Sequence, residues 1–114
     1  MRRLIIAGAA LLLMAGAAAA AESGGAVVTL TLKDHRFTPD KVEAPAGQRI
    51  RIELVNRDAA TEEFDSTDLE VEQDVTPFGK TTFVVGPLKP GVYHFMGELH
   101  ADTAGGTLTA VAAP

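Results

Sequence analysis

The feature that most constrains the fold of this chain is hydrophobic alternation with a period of two. Val28, Leu30 and Leu32 share one face of AVVTLTLK, and Ile50, Ile52 and Leu54 share one face of QRIRIELVN. Such segments are strands with one side in a core and the other in water. TTFVV (81–85), GVYHFM (91–96) and GTLTAV (106–111) repeat the pattern, each entered by a turn signal: Gly79, the Pro87/Pro90-Gly91 cluster, and Gly105-Gly106. No stretch sustains a helical period. The expected class is therefore all-β, a Greek-key antiparallel β-sandwich.

The first residues follow a different logic. Arg2 and Arg3, the apolar run LIIAGAALLLMAG and an alanine tract before Glu22 make the charged, apolar and small-residue regions of a secretory signal peptide. The expectation is a signal peptide over 1–21 and one domain over 22–114, exported to the periplasm. Removing two of the ten basic residues leaves eight against fifteen acidic ones, a net charge of −7. So acidic a domain does not suit nucleic acid as a partner. The chain has no cysteine, which excludes a disulfide framework, a thiol nucleophile and a thiolate metal ligand together.

One segment breaks the alternation. Between Asp58 and Asp74 lie eight acidic residues (Asp58, Glu62, Glu63, Asp65, Asp68, Glu70, Glu72 and Asp74) and no basic one. It reads either as a solvated loop or as a surface that attracts cations.

Across nearly the whole of 22–114 the sequence resembles the cupredoxin pattern. Phe37-x-Pro39, Pro45-x-Gly47 and an alternating strand ending in Asn56-x-Asp58 are similar to the segment that leads to the first histidine ligand of blue-copper proteins. GVYHFMGELH is similar to the strand and loop that carry the cysteine and second histidine, with Tyr93, Phe95 and His100 matching. The departures are equally specific. Glu62-Glu63-Phe64 stands where the family has its first histidine, Gly97 where it has cysteine, and Thr103-Ala104-Gly105-Gly106 where the axial methionine would be. Of the four usual ligands only His100 is kept, and electron transfer through a copper–thiolate bond is excluded by composition. EEFDSTDLE, VVGPLKPGVYHF and GELHADTAGGTL resemble most closely the cupredoxin-like components of FtrABCD-type and EfeO-type bacterial iron uptake. That resemblance implies an iron-handling or iron-oxidising role beside an inner-membrane iron permease or a second periplasmic iron-binding protein.

Strand geometry orders the candidates for a copper or iron ion. On GVYHFMGEL, Tyr93, Phe95 and Gly97 fall on the core face, while Val92, His94, Met96 and Glu98 face outward. His94 and Met96 read as strand surface, or as a soft site for Cu(I). Glu98 and His100, two apart where strand gives way to loop, are expected to aim to the same side if the backbone there is extended. Under the family topology Glu62 and Glu63 reach the same end of the sandwich. The candidate metal residues are thus His100, Glu63, Glu98, Glu62, Met96 and His94, with Asp65, Asp68 or Asp102 completing the shell. His35, beside Asp34 and Arg36, reads as structural or solvent-facing. Carboxylates with imidazole suit Fe, Mn or Cu(II) better than Cu(I), and they favour ferric over ferrous iron. Whether this amounts to enzymatic ferroxidase assistance is open on the sequence. Hydrolase chemistry has no signature here. The alternatives are a copper carrier without turnover and a metal-free interaction module.

Overall fold

The computed structural model describes residues 25–114, so the proposed signal peptide and its boundary after residue 21 lie outside the described residues. Nine strands follow in order: β1 (Ala26–Lys33), β2 (Arg36–Thr38), β3 (Lys41–Pro45), β4 (Ile50–Asn56), β5 (Glu62–Ser66), β6 (Val71–Val75), β7 (Lys80–Val85), β8 (Gly91–Gly97) and β9 (Gly105–Val111). They form a four-stranded sheet in the order β2-β1-β4-β7 and a five-stranded sheet in the order β3-β9-β8-β5-β6. The fold is the expected cupredoxin-like β-sandwich. Among the described residues no helix is long and apolar enough to cross a membrane.

Two pairings are parallel, β1 with β4 and β3 with β9. The chain leaves the first sheet after β2, runs through β3 in the second and returns as β4, so β4 lies beside β1 pointing the same way. The alternating residues behave as their period requires: Leu30, Ile50, Ile52, Leu54 and Leu108 are all buried. Between the sheets Phe64 lies against Phe95 (ring centroids 5.1 Å, 23° between planes), and Phe37 meets Phe95 edge-on (5.1 Å, 88°).

The acidic segment is not a loop. It folds into the β5–β6 hairpin, with Glu63 opposite Asp74 and Asp65 opposite Glu72. Charge hid the alternation there, because the buried face of β5 is Glu62, Phe64 and Ser66, only one of which is apolar. Residues 98–100 also depart from expectation, since Glu98–His100 forms a single 3-10 turn rather than extended chain. A 3-10 turn places successive side chains about a third of a revolution apart, so Glu98 and His100 diverge.

Candidate metal centre

Glu62 is a carboxylate only 3% exposed at the end of the aromatic core. A charged group so placed must be paired and hydrogen-bonded. Its Oε1 accepts the backbone N–H groups of Glu63 and Leu99, each at 3.0 Å, and its Oε2 lies 2.5 Å from Nδ1 of His100. Glu62 therefore satisfies the opening of the 3-10 turn that carries His100. The turn is closed by the His100 carbonyl, which accepts the N–H of Thr103 (3.1 Å) and of Ala104 (2.8 Å).

The third member comes from the β1–β2 hairpin. Asp34 and His35 form a two-residue loop, both with positive φ (53° and 58°), the geometry of a type I′ turn. Asp and His tolerate this left-handed conformation better than most residues. Asp58 holds the loop in place, its Oδ1 accepting the N–H of Asp34 (2.7 Å) and its Oδ2 that of His35 (2.9 Å). Partial burial raises the Asp58 pKa, but the N–H groups of His35 and then Asp34 outweigh it and hold the carboxyl below its ordinary value. Thr103 Oγ1 donates to the His35 carbonyl at 2.7 Å, tying the hairpin to the loop after His100. The His35 and His100 rings consequently stack, with centroids 3.7 Å apart and 12° between planes.

His35, Glu62 and His100 each offer one donor atom, and these atoms lie within 4.8 Å of one another. Glu62 is buried, while the His35 and His100 side chains are 44% and 26% exposed, which leaves solvent a way in. Two imidazoles with one carboxylate fit a first-row metal ion with nitrogen and oxygen preference. They do not fit a blue-copper centre, which needs a thiolate.

The six residues expected from the sequence divide. Glu62 and His100 come together. Glu63, next to Glu62 on β5, points to the opposite side of the sheet, where it makes a side-chain hydrogen bond with Glu98. That bond, burial, and the neighbouring charges of Glu98, Asp74 and Glu72 push the Glu63 carboxyl up to about 7. Glu63, Asp65 and Glu72 form a second cluster of carboxylates on this outer surface. His94 is 73% exposed and pairs with Asp68 at 3.3 Å, and Met96 is exposed on the same strand. The N–H and ring of His94 lower the Asp68 pKa. Sequence reasoning missed His35. The available signal was Asp34-His35 between two alternating segments, a two-residue hairpin loop that the topology brings to the His100 end of the sandwich.

The chain belongs to the cupredoxin-like domain family, whose model matches residues 4–110. An uncharacterized protein of Rickettsia prowazekii (strain Madrid E) is 44% identical over 79 residues, covering 69% of this chain. The matched region spans 63% of the length of that relative. Among solved structures, Auracyanin A, a "blue" copper protein from the green thermophilic photosynthetic bacterium Chloroflexus aurantiacus, superposes with a TM-score of 0.66 at 11% identity, covering 77% of this chain and 100% of its own. Auracyanin B gives 0.65 at 14% identity, covering 77% of this chain and 88% of its own. A chain of a heme-copper terminal oxidase dimer gives 0.64 at 14% identity, covering 95% and 96%. At these identities the likeness is one of fold.

Proposed function

We propose that this is a periplasmic metal-handling protein that holds an iron or copper ion between His35, Glu62 and His100. The observation that carries the proposal is the convergence of three metal-capable side chains from three separate elements around a buried carboxylate. A stacked histidine pair over such a carboxylate is not needed to close the core, which the phenylalanines already fill. His35 and His100 would supply nitrogen donors, and Glu62, whose Oε2 now faces Nδ1 of His100, would supply the oxygen donor.

The favoured cargo is iron, destined for a permease in the inner membrane or for a second iron-binding protein. An anionic oxygen donor stabilises Fe(III) more than Fe(II), lowers the potential of the couple and so favours transfer of one electron from the bound ion to dioxygen. The sequence resemblance to iron-uptake components supports the same assignment. The second reading, a copper carrier without turnover, is favoured by the fold neighbours that are copper proteins and by the paired imidazoles, which Cu(II) also accepts.

Titration of the metal-free protein with Fe(II), Cu(II) and Cu(I), with dioxygen consumption followed, separates the readings. The proposal expects Fe(II) to bind and to be oxidised faster than in buffer. Tight copper binding with no oxidation of added Fe(II) would establish the carrier instead, and failure of all three ions to bind would overturn both.

A further inference from the structure

Gly97 ends β8 and stands opposite Phe64 of β5, two residues beyond Glu62. Its φ is ordinary, so backbone freedom does not explain a glycine there. Space does. A Cβ built on Gly97 would lie 2.7 Å from Cδ and 2.9 Å from Oε2 of Glu62, and 2.9 Å from Cβ of Ala104. Carbon atoms do not approach so closely without displacement, since packed carbons sit about 3.5–4.0 Å apart. The Glu62 carboxylate occupies the volume that any side chain at 97 would need.

Resting on the metal-site reading above, we propose that Gly97 is the residue that sets the metal preference of the site. By leaving its side-chain volume empty, it lets the carboxylate fold inward under His100. The oxygen donor is thus built into a pocket that otherwise presents imidazole nitrogen alone. Glu62 cannot retreat into the core, because Phe64 and Phe95 fill it, and its Oε1 is anchored by the N–H groups of Glu63 and Leu99. A methyl group at 97 therefore drives the carboxylate out toward solvent and leaves the two histidines. Carboxylate oxygen favours the harder ion and imidazole nitrogen alone the softer one, so the change shifts preference from Fe(II) toward Cu(I). Gly97 acts through Glu62 and is a positioning residue, touching no ion itself.

The test measures the ratio of Fe(II) to Cu(I) affinity, anaerobically, in the wild type, Gly97→Ala, Glu62→Ala and the double variant. Gly97→Ala is also made with Ala104→Gly, which removes the Ala104 Cβ and leaves the two close contacts of the new methyl with Glu62. Expected are a fall of at least tenfold in the ratio for Gly97→Ala in both backgrounds, a similar fall for Glu62→Ala, and no further fall when the two are combined. If Gly97→Ala alone melts too low to titrate, the Ala104→Gly background carries the measurement. A double variant that melts no lower than Glu62→Ala alone would confirm the contact. An unchanged ratio in Gly97→Ala, or a second full fall on top of Glu62→Ala, overturns the proposal while leaving the metal site standing. A wild type that binds neither ion overturns both.

Discussion

Glu62 and Glu63 are neighbours in sequence and opposites in the structure. Glu62 is buried, satisfied by two backbone N–H groups and set against His100, whereas Glu63 lies on the outer surface among Glu98, Asp65 and Glu72. Both belong to carboxylate-bearing clusters with donor atoms close enough for an ion. What separates them is the support around each. The inner cluster has imidazoles fixed by a hairpin loop and a capped turn, while the outer one is carboxylate alone, and the crowding of Glu98, Asp74 and Glu72 raises the pKa of Glu63. Strand alternation alone makes this division: a one-residue shift of register on β5 would exchange the two glutamates.

The largest expected effects lie at the inner cluster. His100→Ala and Glu62→Ala are each expected to weaken Fe or Cu(II) binding by about 10–100-fold, at least the loss typical when a supporting partner of a ligand is removed. Calorimetric titration reads the effect. Glu62→Ala also leaves the partly buried N–H groups of Leu99 and Glu63 without their carboxylate partner, so denaturant unfolding of the metal-free variant should show a loss of about 1 kcal/mol. Equal affinity for wild type and Glu62→Ala would erase the distinction between the clusters.

His35→Ala is expected to cost about tenfold in the same titration with little change in unfolding, because a half-buried loop side chain outside the sandwich core adds little to it. Asp58→Ala sharpens the point. It leaves every donor in place but releases the Asp34-His35 loop, so a loss of about 1–2 kcal/mol in stability should accompany a few-fold loss of metal affinity.

On the outer side the expected effects are smaller and concern pH. Glu63 has its pKa raised in the folded state, to about 7 from an ordinary 4.5. A group raised on folding contributes stability that is complete below its unfolded pKa and is lost as pH rises through its folded one. The melting temperature of the metal-free protein should therefore decline between about pH 4.5 and 7, and Glu63→Gln should flatten that decline. A slope identical in the variant would show that Glu63 does not titrate in this range. The smallest effects belong to His94→Ala and Met96→Ala, which should leave Fe and Cu(II) affinity unchanged within error.

Much of the sandwich was legible because β1, β4 and β7 to β9 carry a clean apolar alternation. β5 and β6 were not, since a strand whose buried face holds Glu62 and Ser66 looks, residue by residue, like solvated loop. Of the candidate site, Glu62 and His100 could be read from where they replace or match the family's ligands. For His35 the two-residue loop was the one signal, and it did not reveal the role, which depends on the parallel return of β4 beside β1 that sets Asp58 under the loop and the loop over His100. Likewise the importance of Gly97 is invisible until the carboxylate is seen in the space its side chain would fill.

The proposed site holds the ion in the inner cluster and not at the outward-facing His94 and Met96. X-ray absorption of the Cu(II)-loaded protein tests it most directly. Expected is a shell of nitrogen and oxygen only, with scattering from two imidazoles that drops to one in His35→Ala. A sulfur scatterer in the shell, or an imidazole signal that disappears in His94→Ala and survives His100→Ala, would contradict it.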